Sequence, residues 1–450
     1  MASLKSRRVQ VLGLLSVSSG MPLGFVFTTL QIFLRGAGVD LKTIGALSAV
    51  SIPWSFKFLW SPLVDRYALP RPGRRRSWVL VAQLALAASF GALAAFVARS
   101  LLRDAATGKL VLAAGAAGAI GLLALAIAFF SATQDIALDA YAVEVLEADE
   151  QGPASGLRVM YYRIGMLIAG ALAIFASQWV SWPLVFAGIG ALFVAFTALT
   201  LAAEEPVRPA RPPRTLGSAV VEPFVTYFRR PQAVTVALFL VFYKFGDNLG
   251  GTMVNPFLKD MCFSNAEIGL AVKVIGTAAT IAGSGVGAAL MARMGLGRAL
   301  WVFGVLQASA NLLYSGAALA SGGPLDIAAC AAGPGVALAP RLWTYVAIAG
   351  EYGAQGMGTA ALLALILRVC DKQYSATQYA LLSSLFGLGR TLAGIPSGVL
   401  AHRLGYPAFF AVAMATALPG FALLQLIAPF GAKDVTVRAP GGPEPAAAAR

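Results

Sequence analysis

Charge is scarce in this chain. Only 12% of its 450 residues are Asp, Glu, Lys or Arg, and the acidic residues number 20 against 34 basic ones. A typical soluble chain carries about 25% charged residues, so this one lacks the polar surface of a water-soluble domain. With 58% hydrophobic residues and a mean hydropathy of +0.75, the composition indicates a polytopic membrane protein.

Histidine and cysteine are also rare. One histidine, His402, and three cysteines are present, and the cysteines have no metal-ligand spacing. No nucleophile and base stand in a pattern that supports catalysis. We therefore expect no metal, no cofactor and no enzyme activity. A membrane enzyme or a receptor is retained as the alternative function.

The basic residues have a particular distribution. A net charge of +14 would favour nucleic acid as a partner of a soluble protein, but here Lys and Arg lie in short runs between apolar segments, which excludes it. Outside those segments they number 20 on one side of the membrane and eight on the other. The positive-inside rule then predicts that both termini are cytoplasmic.

About twelve apolar segments are long enough to span a bilayer. A Pro/Arg-rich stretch from Glu204 to Arg214, which cannot be helical, divides them nearly evenly. We predict an all-α polytopic membrane protein. Its parts are an amino-terminal six-helix half (1–203), a cytoplasmic linker (204–230), a carboxyl-terminal six-helix half (231–430) and a disordered cytoplasmic tail (431–450).

The two halves carry an internal repeat at a constant offset of 224 residues. Phe33-Leu34-Arg35 matches Phe257-Leu258-Lys259, and Gly165 matches Gly389. This indicates a duplicated six-helix unit, and two such parallel halves resemble the major facilitator superfamily, whose substrate site lies between the halves. A second Ser-Ala-Thr-Gln, Ser375 to Gln378, does not fall on the offset, and we interpret it as coincidence.

Two carboxylates interrupt the fourth apolar segment. Asp135 and Asp139 follow an uncharged run from Leu110 to Phe130, and being four apart they share one helix face. A charge near the bilayer centre costs roughly 2.5–3.5 kcal/mol and is retained where it faces protein or water. At the repeat offset these acids correspond to Thr359 and Leu363, so the scaffold does not require them. We interpret them as a proton-coupling pair.

Arg163 is the expected cationic partner of these acids. If the hairpin turns near Asp149, Asp135 lies about 14 residues before the turn and Arg163 about 13 after it, at nearly equal depth. A static ion pair that holds the hairpin together is the structural alternative. Because two acids face one arginine, one carboxylate is left to exchange a proton. We expect Asp139, or else Asp135, to carry it in competition with Arg163.

Other polar side chains in the apolar segments are candidates for a substrate path. The basic ones would suit a substrate with carboxylates. Trp54 and Trp60, which flank Lys57, would stack on sugar rings or serve only in packing. For any single charge, snorkelling to the interface is the alternative. The candidates are Trp54, Lys57, Trp60, Gln134, Tyr141, Lys244, Asp247, Lys273, Glu351 and Arg390.

A conformational lock is expected at the basic loop after the second segment. Asp65-Arg66 followed by Arg74-Arg75-Arg76 resembles the superfamily signature between the second and third helices. The resemblance implies that these residues link the halves on the cytoplasmic side when the carrier faces out.

Two longer stretches resemble the AmpG muropeptide permeases. They are Phe56-Lys-Phe-Leu-Trp-Ser-Pro-Leu-Val-Asp-Arg-Tyr67 and Ser131-Ala-Thr-Gln-Asp-Ile-Ala-Leu-Asp-Ala-Tyr-Ala-Val-Glu144, and Tyr162 to Gly165 and Tyr243 to Asp247 look like further family positions. The resemblance implies proton-coupled import of N-acetylglucosaminyl-anhydro-N-acetylmuramyl peptides across the bacterial inner membrane, with Asp135 and Asp139 as the family's acidic pair. The expected partners are this substrate, protons and membrane lipid, with the chain acting as a monomer. The family shades into acetyl-CoA transporters, so another anionic solute such as acetyl-CoA is the alternative substrate.

Overall fold

The computed structural model describes residues 6–39, 43, 50–67, 72–103, 110–205, 216–321 and 338–437. Helices make up most of these residues. In chain order they are α1 (Arg7–Gly36), α2 (Ile52–Phe56), α3 (Ser61–Arg66), α4 (Arg74–Ser100), α5 (Ala116–Val145), α6 (Gln151–Ala176), α7 (Trp182–Ala202), α8 (Leu216–Phe228), α9 (Ala233–Asp260), α10 (Gly269–Met294), α11 (Leu296–Ala320), α12 (Leu338–Val369), α13 (Ser375–Ala415) and α14 (Leu418–Ile427).

Short elements join these helices. Strands β1 (Leu101–Arg103) and β2 (Leu110–Leu112) form an antiparallel pair between α4 and α5, with Leu102 opposite Val111. The four-residue helix Asn265–Ile268 leads into α10. Turns of 3₁₀ helix cover Lys57–Leu59 and Lys372–Tyr374.

Ten helices in the described ranges are long and apolar enough to cross a membrane. The second predicted span lies partly outside the described residues, and the remainder is broken into α2 and α3, each with a proline in its first turn. The eleventh predicted span corresponds to the first part of α13. This helix kinks at Gly405, where φ is +69°. Because only glycine adopts this backbone conformation readily, the chain turns there into its last span.

Glycines bring α1 and α6 into backbone contact. A Cβ on Gly165 would collide with the Val17 carbonyl oxygen, and one on Gly20 with the Tyr162 carbonyl oxygen. Small residues allow such close approach between membrane helices. In the other half a Cβ on Gly389 of α13 would lie 2.9 Å from the Val241 carbonyl oxygen of α9. Both members of this contact are displaced by 224 residues, so the sequence repeat is also a repeat of packing.

Helix α6 also connects the two halves. A Cβ on Gly156 would meet Ala288 and the Ser284 carbonyl of α10, and one on Gly152 would meet Met291. The same helix therefore packs against α1 within its own half and against α10 across the interface.

The predicted linker and the predicted tail both contain ordered structure. The linker range 204–230 contains helix α8, in which Tyr227 is buried, whereas 206–215 of its Pro/Arg-rich stretch lie outside the described residues. The tail is not disordered over 431–437, because Val435 and Val437 are buried and the Thr436 amide donates to the Ile427 carbonyl. Residues 438–450 lie outside the described ranges.

The glycine contact of α1 with α6 gives a test of this packing. Gly165→Ala should destabilise the fold by about 1–3 kcal/mol, since the added methyl group has no space beside the Val17 carbonyl. Thermal unfolding of the purified protein measures the loss. Gly188→Ala in α7 is the matched control, because no atom lies within 4 Å of its added Cβ. Equal melting temperatures for the two variants would contradict the assigned contact.

Candidate functional site

Three groups of buried charges lie between the helices. The first, the Asp65 cluster, consists of Asp65, Arg74, Arg75 and Glu144 together with Ser375 and Thr377. The Arg75 guanidinium and the Asp65 carboxylate are completely buried, with Nη2 2.8 Å from Oδ1. Arg75 Nε also donates to Glu144 Oε1 at 2.8 Å, and Arg74 Nη2 lies 2.5 Å from the same oxygen. Two acids and two arginines balance the charge, as a dry site requires.

The Asp65 carboxylate also binds the first turn of α13. It accepts hydrogen bonds from the amides of Ala376 and Thr377, at 3.1 and 2.9 Å, and from the Thr377 hydroxyl at 2.8 Å. Amides in the first turn of a helix lack partners within the helix and carry partial positive charge. An acid of the amino-terminal half thus caps a helix of the carboxyl-terminal half, so this cluster joins the halves.

The predicted lock residues divide between two places. Arg76 leaves this cluster and binds the end of α7, donating to the Ala203 carbonyl at 2.8 Å and pairing with Glu205 at 3.4 Å. Arg66 is half-buried, with its Cζ 5.4 Å from the centre of the Tyr67 ring.

Residues that the sequence reasoning left out complete the Asp65 cluster. Glu144 closes the quoted stretch that begins at Ser131, and its charge was a usable signal. Ser375, whose hydroxyl donates to Glu144 at 2.6 Å, and Thr377 belong to the second Ser-Ala-Thr-Gln. This motif does not fall on the repeat offset, yet its start is the helix terminus that Asp65 caps.

The second group, the Asp139 cluster, consists of Lys57, Asp135, Asp139 and Arg158. Asp139 Oδ2 lies 3.1 Å from Lys57 Nζ, and Oδ1 lies 2.5 Å from Arg158 Nη2. The 3₁₀ turn between α2 and α3 presents the lysine to α5. Across the interface, Arg158 Cζ lies 6.0 Å from the ring centre of Tyr379 in α13. An ion pair of one half is therefore in contact with the other half.

The expected partnership with Arg163 is replaced by one with Arg158. Arg163 lies five residues further along α6, with Nη1 3.8 Å from Met166 Sδ, and it is near Tyr352 of α12. Asp139 lies ten residues before Asp149 and Arg158 nine after it, so these two are level in the hairpin, whereas Arg163 is level with Asp135. Asp135, one turn from Asp139, is partly buried beside Ser19, and Lys57 is the cation that interacts with it most strongly.

The aromatic and amide candidates of the first half are held by hydrogen bonds. The Trp54 and Trp60 indole N–H groups donate to Ser131 at 3.3 Å and Thr133 at 3.2 Å, both on α5. Gln134 is completely buried and donates to the Ser18 hydroxyl at 2.9 Å. These contacts favour packing over sugar stacking for the tryptophans. Tyr141 is buried in the same core.

The third group, the Glu351 cluster, lies in the carboxyl-terminal half and consists of Lys244, Asp247 and Glu351. Helix α9 is interrupted at Lys244, whose Nζ lies 2.5 Å from Asp247 Oδ2 and donates to Gln307 Oε1 at 2.9 Å. All three charged residues are at most 4% exposed. Lys273 lies apart, exposed on a π-helical turn, and the side chain of Arg390 lies outside the described residues.

Comparison with known proteins gives relatives along the whole chain. It is 36% identical over 419 residues to the anhydromuropeptide permease of Escherichia coli K12, covering 93% of this chain and 79% of that protein. It is 30% identical to the putative transporter AmpG 4 of Rickettsia conorii, covering 94% and 97%. Residues 9–178 match a family model described as acetyl-coenzyme A transporter 1.

Solved structures share the fold. The human organic anion transporter MFSD10 superposes with a TM-score of 0.67 at 15% identity, covering 93% of this chain and 99% of that one. The proton:xylose symporter XylE of the major facilitator superfamily gives 0.67 at 11% identity, covering 95% and 97%. The predicted superfamily fold is therefore confirmed.

The Asp65 cluster predicts the effect of removing one charge. Asp65→Asn can still accept hydrogen bonds from α13, but it removes the ion pair of Arg75 with Asp65 and leaves Glu144 alone to balance two arginines. Breaking a buried pair costs about 3–5 kcal/mol, so the joined state of the halves should be strongly destabilised. The maximal transport rate should fall by about tenfold or more, with substrate affinity little changed.

Uptake into proteoliposomes over a range of substrate concentrations separates rate from affinity. Glu147→Gln is the control, since its side chain is 70% exposed and pairs only with Arg8 on the surface. Such a pair contributes at most about 1 kcal/mol, so uptake should not change. A normal rate for Asp65→Asn would show that the cluster is not a lock.

Proposed function

The chain belongs to the AmpG family of the major facilitator superfamily, and from that premise we propose that it imports anhydromuropeptides for peptidoglycan recycling. The substrate is N-acetylglucosaminyl-anhydro-N-acetylmuramic acid with or without its peptide, carried from periplasm to cytoplasm. The identity to the E. coli permease supports this because it extends through both halves. The relatives are permeases and the structural neighbours are transporters, so the chain is not an enzyme.

Orientation follows from charge. The excess of Lys and Arg on one side supports a multi-pass protein of the inner membrane with both termini in the cytoplasm. In that orientation the Asp65 cluster closes the cytoplasmic side, so the state described here faces the periplasm.

Acetyl-CoA is the second candidate substrate. The acetyl-coenzyme A transporter model matches only residues 9–178, which lie within the amino-terminal half. The substrate site of this superfamily lies between the halves, so a match confined to one half supports a substrate less strongly than identity along both.

Transport is coupled to protons through Asp139. The observation that carries this proposal is the position of its carboxylate between Lys57 and Arg158, with Arg158 in turn against Tyr379 of the other half. A proton on Asp139 removes its charge and weakens both ion pairs. Arg158 then changes its contact with α13, so that proton binding reaches the interface between the halves. Arg158 takes the role that the sequence assigned to Arg163.

The coupling acid can be tested by neutral substitution. Asp139→Asn resembles the protonated acid, so it should abolish accumulation driven by a pH gradient while substrate binding remains measurable. Proteoliposome uptake of anhydromuropeptide, with and without an imposed gradient, measures this. Asp149→Asn is the control, because Asp149 is an exposed acid in the loop between α5 and α6 and should retain full accumulation.

The same assay on Asp135→Asn assigns the roles of the two acids. Loss of gradient-driven accumulation only in Asp135→Asn would identify Asp135 as the acid that carries the proton. Gradient-driven accumulation in both single variants would contradict the coupling mechanism, and unfolding of Asp139→Asn would support a static pair.

Competition distinguishes the substrates. Unlabelled anhydro-disaccharide and its peptides should each inhibit uptake of labelled anhydromuropeptide, whereas acetyl-CoA at equal concentration should leave uptake unchanged. Uptake of labelled acetyl-CoA with no uptake of the disaccharide would overturn the assignment in favour of the second candidate.

A further inference from the structure

The Glu351 cluster has an unequal number of acids and bases. Lys244, Asp247 and Glu351 are 2%, 4% and 4% exposed, so bulk water reaches none of them. If all three were ionised, two carboxylates would face one ammonium group. An uncompensated charge in a buried site costs several kcal/mol, and that cost disappears when one carboxylate holds a proton.

The lysine is already engaged with Asp247. Its Nζ lies 2.5 Å from Asp247 Oδ2 and 2.9 Å from Gln307 Oε1. Glu351 has a weaker hydrogen bond, because the Gln355 amide nitrogen of its own helix lies 3.5 Å from Oε1. The Tyr314 hydroxyl of α11 faces its carboxyl group. Glu351 is therefore the acid without a cation of its own.

The remaining ionisable neighbours do not change this balance. Helix α9 contributes Lys244, Asp247 and the neutral Tyr243, which interacts with Asp247, and α11 contributes Tyr314. Tyr352, the next residue of α12, interacts with Arg163 of α6, so this cation lies near the tyrosine. Lys273 of α10 is exposed. Tyr352 also interacts with the Glu351 carboxyl, but a neutral phenol adds no charge to the cluster.

We propose that Glu351 is a second proton-binding site, in the half of the protein that lacks the Asp135 and Asp139 pair. The inference rests on the proposed transport function and deepens its coupling. In the state described here Lys244 pairs with Asp247 and Glu351 holds the proton. When the halves move, Lys244 turns toward Glu351 and stabilises its carboxylate, so the Glu351 proton leaves to the cytoplasm. When the halves return, Lys244 pairs with Asp247 again and Glu351 takes up a proton from the periplasm, which carries one proton inward per cycle.

The break in α9 allows that exchange. Lys244 occupies a non-helical step, with φ −106° and ψ 6°, between the helical pieces Ala233–Phe242 and Phe245–Asp260. The Tyr243 carbonyl accepts a hydrogen bond from Gln307 Nε2 instead of one within the helix. A change at this step turns the lysine without unwinding either piece, as interrupted helices do in other transporters.

A measurement without substrate tests the proton itself. Infrared difference spectra of the protein in lipid nanodiscs should show a protonated carboxyl band at neutral pH that is lost in Glu351→Gln. Glu267→Gln is the control. Hydrogen bonds from Ser264, together with Arg341, hold the pKa of Glu267 below its usual range, so Glu267 stays ionised and contributes no such band. A spectrum that is unchanged by Glu351→Gln would overturn the proposal.

Transport measures whether the proton is exchanged. The slope of log accumulation against the imposed pH difference gives the protons carried per substrate. In Glu351→Gln this slope should fall by about one, while Glu267→Gln keeps the slope of the unmodified protein. An unchanged slope in Glu351→Gln overturns the proposal even if the band is present, because the proton is then static.

If Glu351→Gln folds but does not transport, the spectra of the unmodified protein show whether the Glu351 proton exchanges. Loss of the Glu351 band on raising the pH supports exchange, and a band that persists overturns it. Because these spectra need no substrate, failure of the muropeptide assignment would leave this test unaffected.

Discussion

The hydrogen bonds from the first turn of α13 to Asp65 set the arrangement of the whole molecule. They are the point at which a carboxylate of one half meets the backbone of the other with no water between them. Asp65 is held in turn by Arg75, which also binds Glu144 and the Val64 carbonyl. Since every charge in this cluster has a buried counter-charge, its members stabilise each other and separate together.

The three clusters differ in charge balance, and the difference matches their roles. The Asp65 cluster has two acids and two arginines and is neutral as it stands. The Asp139 cluster is also balanced, but its ion pairs are 10–13% exposed, so a proton from solution can compete for the carboxylate. The Glu351 cluster has one acid too many and less exposure. In a chain with so little charge, these small differences are the basis on which we propose two of the clusters as proton sites.

The sequence predicted the fold and many of the residues, but few of the pairings. Asp135 and Asp139 stood out because an uncharged run precedes them, and Gly165 and Gly389 lay on the repeat that the packing follows. Arg158 was missed because depth was counted from Asp135, whereas Asp139 is four residues nearer the turn and lies level with Arg158. Ser375 was missed because a contact across the halves leaves no periodic signal in either of them. Lys57 lies near Asp139 because a 3₁₀ turn places it there, and the residues that flank Lys57 do not predict this turn.

The glycine contacts make the packing of helices within each half stiff. Where a carbonyl oxygen occupies the place of a side chain, as between Val17 and Gly165, no rotamer can absorb a displacement of one helix against the other. A rotation that begins where α6 meets α10 should therefore carry the contacting part of α1 with it. The equivalent contact of Gly389 with Val241 gives the other half the same stiffness. We therefore expect each half to move as one body when the interface between the halves rearranges.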